Sequence, residues 1–284
     1  MYSFQGQNYT SLNEVPSDIL AAFIQHNVLT ETIAIQQNKI LFWEEHYLRL
    51  MASMRILRME IPLSFTLEHL SEKIIALTTS LSKQDFNGRV QLNVVKMAQP
   101  SVEQAVPPTA YSITAFPTVE GEETLMLRNT TQPIDLYKDH YLSTGLYTTL
   151  ESAAQQWRDM AWTYVHENDY CDGIVLNTEK HLVESLRGAL FLIKANKIST
   201  PALDQGCRKS VYRKQLLTVL SKAEEFEITE EAISPFSIQK ADELFVLDDA
   251  KGIYSIAQYR KKKFQTLQTE KIWTLFLEHI NAQH

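Results

Sequence analysis

The sequence predicts an α+β fold in two domains, and three observations carry that expectation. The first 118 residues read as a hairpin, two helices and two further strands. A length of 284 residues with 44% hydrophobic content suffices for one large or two medium cores. Between the halves, "VEGEETLMLRNTTQP" turns acidic and polar, as a connection does. The expected boundaries are 1–118 for the first α+β domain, 119–133 for the connection and 134–284 for a second α+β domain.

In the first domain, "TETIAIQQNKILFWEEH" alternates, turns at "QQNK" and resumes with "ILFW", a hairpin feeding a helix. That helix is expected to stop near "EIP", because Pro62 disfavours helix in the residue before it. "SFTLEHLSEKIIALTTSL" sets Leu67, Leu70, Ile74, Ile75 and Leu81 at helical spacing, with Ser64 or Thr66 as N-cap. "GRVQLNVVKM" and "AYSITAFPTV" are strands on either side of the Pro-rich loop "AQPSVEQAVPP".

In the second domain, "ESAAQQWRDMAWTYVHEN" from 151 is a long helix with Ala154, Trp157, Met160, Ala161 and Tyr164 facing inward. "CDGIVLN" and "HLVES" are strands around the turn "TEK", and "GALFLIKANKIST" is a hairpin turning at "KANK". "SVYRKQLLTVLSKAEEF" is a helix, "EITEEAIS" a strand, "SIQKADEL" a short helix, and "LFVLDDAKGIYSI" strand, turn and strand.

Composition excludes several function classes. With 27 Lys and Arg against 34 Asp and Glu, the net charge of −7 gives no broad basic field for nucleic acid. The one basic cluster, "YRKKKF", reads as a solvated turn or strand edge. The N-terminus lacks a targeting pattern and no stretch approaches 18 uninterrupted apolar residues, so a soluble, cytoplasmic protein without membrane contact is expected. Cys171 and Cys207 have no metal-ligand spacing and are expected to be reduced thiols.

One helix poses a chemical question. In "WEEHYLRLMASMRIL", residues 43–57, His46, Leu50, Ser53 and Leu57 share one side, with Arg49 on its flank. The Arg49 stem can lie along apolar surface with its head in water. Alternatively, its planar, permanently charged fork serves a buried phosphate or carboxylate.

Five stretches in order bear on that choice: "ETIAI" (31–35), "FWEEHYLRLMAS" (42–53), "GIVLNTEKHLVES" (173–185), "ISTPALDQGC" (198–207) with "SVYR" (210–213), and "ADELFVLDDAKGI" (241–253). Together they resemble the class IV aminotransferases. These are the fold-type-IV pyridoxal-phosphate enzymes that include branched-chain and D-amino-acid aminotransferases and aminodeoxychorismate lyase. The resemblance implies a two-domain, D-amino-acid aminotransferase-like architecture, a cleft between the domains faced by Arg49 and Glu184, and a homodimer. It also implies that Arg49 binds the cofactor phosphate, that Glu184 keeps the pyridine nitrogen protonated, and that Val211 and Tyr212 take the two backbone phosphate positions.

The same alignment implies losses. The family lysine forms the Schiff base and moves the α-proton. Aligning backwards without gaps from "HEN" and Glu184 puts Glu151 in its place, with Ser152 or Ala153 if the register slips. The nearest upstream lysine, Lys138 in "DLYKDHYL", requires an insertion of roughly a dozen residues where connections are usually short. The family asparagine is Ala189, the glycine of "GxxR" is Ser210, and the phosphate-loop hydroxyl residue is Asp249 beside Asp248. The family tyrosine and glycines before "FET" are absent, with Gln25, His26 and Val28 in that region.

The leading expectation is a class IV homologue without Schiff-base chemistry and without a cofactor. It keeps an anion-binding cleft for some small anionic ligand, or a structural or regulatory role. One alternative is an active pyridoxal-phosphate aminotransferase or aminodeoxychorismate lyase that uses Lys138. A third reading is an enzyme without that cofactor, in which Glu151 and Glu184 act as a carboxylate pair.

Overall fold

The computed structural model describes residues 2–25, 28–82, 85–98, 106–119, 122–152 and 156–283. The chain forms two compact units, Met1–Thr124 with Glu151–Ala154, and Leu125–Leu150 with Gln155–His284. The expectations on His26 and Ala153 lie outside the described residues.

The first unit comprises β1 (Tyr2–Phe4), β2 (Gln7–Tyr9), α1 (Ser17–Gln25), β3 (Leu29–Gln36), β4 (Lys39–Ile40), α2 (Trp43–Ile56), α3 (Leu67–Leu81), β5 (Gly88–Lys96) and β6 (Thr109–Pro117). Its sheet runs β2-β1-β6-β5-β3-β4, antiparallel throughout. The β3–β4 hairpin closes through Gln37 and Asn38, both at positive φ, as a two-residue loop with matching twist requires. Ile33, Leu50, Met54, Ile74, Leu92 and Ile113 fill the core between this sheet and the helices, each contributing about 1.5–3 kcal/mol of burial. Thr66 caps α3, its hydroxyl accepting from His69 N at 3.1 Å. Helix α2 ends at Ile56, earlier than Pro62 alone would dictate. Arg58 turns to φ 50° and Met59 N–H reaches back to the Met54 carbonyl at 2.9 Å, closing the end as a Schellman-type cap does.

The second unit comprises β7 (Met126–Asn129), β8 (Ile134–Leu142), α4 (Gln156–Glu167), β9 (Asp172–Asn177), β10 (Leu182–Ser185), β11 (Ala189–Lys194), β12 (Lys197–Pro201), α5 (Val211–Leu220), β13 (Glu227–Glu231), α6 (Phe236–Lys240), β14 (Glu243–Asp248), β15 (Gly252–Ser255), β16 (Gln258–Tyr259), β17 (Lys262–Lys263) and α7 (Leu267–Ala282). Two sheets form, β10-β9-β8-β16-β17 and β13-β12-β11-β14-β15-β7. Ile134, Ile174, Leu190, Leu244 and Val246 share one core cluster. The "YRKKKF" cluster becomes the β16–β17 hairpin, with Arg260 at φ 53° in its turn.

Two expectations need correction here. The polar stretch read as a connection contains β7, which pairs parallel with β15. Only glycine fits at Gly252 (φ 93°), because a Cβ there would lie 2.5 Å from the Met126 carbonyl oxygen. The long helix expected from residue 151 starts at Gln156 instead. Glu151 and Ser152 run extended against β3: Thr30 N donates to the Glu151 carbonyl at 3.1 Å, and Ser152 bridges Leu29. No helix among the described residues is long and apolar enough to cross a membrane.

Candidate functional site

In the first unit, β3 and α2 bring three charged or polar groups together. Glu31, on β3, is 1% exposed. Arg49 Nε donates to its Oε1 and Oε2 at 2.9 and 3.1 Å, and Arg49 Nη2 donates to Oε2 at 2.6 Å. His46, one turn earlier on α2, places Nδ1 2.9 Å from Glu31 Oε2. Burial alone would push the Glu31 carboxyl up, but the Arg49 guanidinium and His46 outweigh it and hold the carboxyl below the usual range. Arg49 is thus a mostly buried guanidinium bound to a carboxylate, rather than a side chain with its head in water.

In the second unit the corresponding centre is Glu184, on β10 and 3% exposed. Arg158, from α4, donates through Nη2 to Glu184 Oε1 and through Nη1 to the Leu186 carbonyl at 2.8 Å. Arg208, just before α5, donates its backbone N–H to Oε2 at 3.0 Å and its Nε to both oxygens at 3.1 Å. Burial opposes ionisation of Glu184, yet the two guanidiniums prevail and keep its carboxyl below the usual range. Two positive charges therefore share one carboxylate.

Three residues further on, the start of α5 meets a second carboxylate. Ser210 is the N-cap, its Oγ accepting from Arg213 N at 2.9 Å. The same hydroxyl donates to Asp249 Oδ1, and Val211 N–H donates to Asp249 Oδ2 at 3.3 Å. Asp249 sits in the turn between β14 and β15, so that turn delivers an anion to the positive end of α5. Tyr212 is fully buried, and burial together with Asp249 and Asp248 pushes its phenol well above the ordinary value.

Of the sequence-predicted residues in the second unit, Glu184, Val211 and Asp249 are gathered around the segment 208–211. Lys138 lies exposed on β8, where the pairing with β9 slips between Tyr137 and Tyr141. Arg49 and Glu151 belong to the first unit, Glu151 being partly buried. Sequence reasoning missed the partners Glu31, Arg158 and Arg208. Glu31 stands inside the quoted "ETIAI", but no local pattern assigns it Arg49. Burial pushes the Cys207 thiol up to about 12 and the Cys171 thiol up to about 11, so neither is an activated nucleophile. Among the described residues no group of three or more His, Cys, Asp or Glu is placed to hold a metal ion.

Comparison with known proteins gives this geometry a family. The model of the amino-transferase class IV family matches residues 28–259. A probable branched-chain-amino-acid aminotransferase of Aquifex aeolicus is 22% identical over 249 residues, covering 80% of this chain and 72% of that protein. Among solved structures, the branched-chain aminotransferase of Thermoproteus uzoniensis, crystallised with norvaline, superposes with TM-score 0.83 at 18% identity, covering 99% of this chain and 94% of that one. The branched-chain aminotransferase of Thermobaculum terrenum in its pyridoxal-phosphate holo-form gives TM-score 0.78 at 17% identity, with 100% and 94% coverage. A putative 4-amino-4-deoxychorismate lyase of Legionella pneumophila gives TM-score 0.73 at 19% identity, with 97% of each chain covered. These likenesses bear out the fold expected from the sequence, a fold-type-IV architecture. With the family model spanning most of its length, the chain belongs to the class IV aminotransferase family.

Proposed function

We propose that this chain keeps the class IV scaffold but has lost Schiff-base chemistry, its cofactor positions being taken by side chains of its own. One observation carries the reading: the Asp249 carboxylate is bonded to Ser210 Oγ and Val211 N–H at the start of α5, where the resemblance puts the cofactor phosphate. A phosphate dianion brought there meets a carboxylate already using the donors, and like charges at that range cost several kcal/mol in a dry site.

Two further features support it. Glu184 is committed to two guanidiniums and a backbone N–H, leaving little acceptor capacity for a pyridinium. Glu151, aligned with the lysine, carries a carboxylate, which cannot form an imine. The residues present therefore do not fit pyridoxal phosphate, and no catalytic step is assigned through it. The scaffold is proposed to hold a small anionic ligand or to serve a structural or regulatory role. The chain is proposed to act as a homodimer. The exposed Leu146, Tyr147 and Leu203, on neighbouring loops of the second unit, supply apolar surface for an interface, and a monomer mass in sedimentation would refute this.

The test is the absorbance of the purified chain incubated with pyridoxal phosphate, compared with the Glu151→Lys, Asp249→Thr double variant. The wild-type spectrum is expected to equal the sum of its components, and the variant to begin showing the yellow band of an imine. A stoichiometric yellow adduct in the wild type would overturn the reading and promote an active enzyme using Lys138.

A further inference from the structure

The second unit contains a cavity of about 440 Å³ that none of Glu184, Arg208, Ser210 or Asp249 lines. Its volume falls in the range of small-molecule sites. The walls combine two guanidiniums with aromatic faces, and the two are stacked on each other. Arg187 lies between rings, its Cζ 5.1 Å from the Trp162 centroid and 4.8 Å from that of Tyr254. Arg128 also packs on Tyr254, at 5.5 Å.

The charges here are unevenly matched. Arg187 Nη2 donates to the Cys171 carbonyl at 3.0 Å, and Arg187 Nε stands 3.8 Å from the buried Asp172 Oδ2, so Arg187 has a counter-ion. Arg128 Nη1 donates to the Lys251 carbonyl at 2.6 Å, and among the described residues no carboxylate pairs with Arg128. Asp169 lies on the wall but is exposed to solvent. A guanidinium over a ring still has N–H groups for other acceptors, and a carboxylate takes two of them at once. Asn129, from the end of β7, adds a neutral amide to the same wall. Trp162, half-buried, presents ring surface that packs against an apolar body and disfavours a second anion.

We propose that this cavity is a binding site for a small organic carboxylate with an aromatic or branched apolar body, its carboxylate held by Arg128 and its body against Trp162. The site is independent of the cofactor positions, so it stands or falls apart from the reading of those. A carboxylate enters with its charge facing Arg128, which of the two lining guanidiniums has no acidic partner among the described residues, and a neutral or cationic analogue does not exploit this.

The experiment uses the full chain and three probes: phenylacetate, benzylamine and inorganic phosphate. Binding is followed by saturation-transfer NMR and by isotope-edited shifts of the Trp162 indole. Phenylacetate is expected to bind saturably and shift Trp162, and benzylamine to do neither. Phosphate binding as tightly as phenylacetate would overturn the role of the aromatic walls. Arg128→Met is expected to weaken phenylacetate binding about tenfold or more, the scale of one lost charge-assisted hydrogen bond. Should that variant fail to fold, Asn129→Asp, at an exposed position, puts a carboxylate on the same wall and is expected to weaken binding likewise. No saturable binding by wild type, equal binding by benzylamine, or unchanged affinity in the folded variants would each refute the proposal.

Discussion

Replacing Glu184 with glutamine should destabilise the second unit by about 3–5 kcal/mol. The side chain accepts from Arg158 Nη2, Arg208 N and Arg208 Nε while 3% exposed, and both arginine side chains are 13% exposed. Glutamine keeps the shape and one acceptor oxygen, but it turns an amide N–H₂ toward guanidinium N–H groups. Two charge-assisted bonds, each worth roughly 1.5–3 kcal/mol, are lost, and the two guanidiniums face an amide in place of the Glu184 carboxylate. For a unit of this size each kcal/mol moves the midpoint by about 2–4 °C, so Tm should fall by roughly 10 °C in a circular-dichroism melt. The pH dependence supplies a second readout. The folded Glu184 carboxyl lies below its unfolded value, so its stabilisation is present above the ordinary glutamate range and is lost as pH falls through the folded value. The gap between wild type and variant should therefore be full at pH 7 and shrink on acidification below about pH 4. A loss under about 1 kcal/mol at pH 7, or a gap that persists undiminished in acid, would refute the account of the clamp.

Glu31→Gln should cost the first unit about 3 kcal/mol in urea unfolding, because it removes the anion shared by Arg49 and His46. Asp249→Ala should cost only about 1 kcal/mol, measured the same way, since Ser210 still caps α5. Burial pushes the Asp172 carboxyl up to about 6, so its contribution is full below its unfolded value and lost as pH rises through the folded one. Relative to Asp172→Asn, wild type should lose on the order of 2–3 kcal/mol between about pH 4 and pH 6, seen as a converging then crossing pair of Tm profiles.

Local signals in the sequence led to elements that close locally. The β3–β4 and β11–β12 hairpins turn through two residues apiece, and Thr66 and Ser210 cap helices at positions their side chains favour. Elements defined by distant pairing were not legible. β7 and β8 each pair parallel with strands far along the chain, which leaves no short-range mark, and Glu151 is drawn out of helix by its pairing with β3. Helix α7 carries a plain 3.6-residue pattern in Ile272, Trp273, Phe276 and Ile280, a local signal of the same kind. At the candidate site, Arg49, Glu184 and Asp249 could be singled out by resemblance. The pairings could not, because Glu31, Arg158, Arg208 and Ser210 stand 18, 26, 24 and 39 residues away from them.

The loss of Schiff-base chemistry is tested most directly by trapping. The wild-type chain is incubated with pyridoxal phosphate, reduced with borohydride and digested, and every lysine is examined by mass spectrometry. No lysine should carry a stoichiometric pyridoxyl group, while Glu151→Lys combined with Asp249→Thr should acquire one at position 151. A stoichiometric adduct on Lys138, or on any other single lysine of the wild type, would contradict the account.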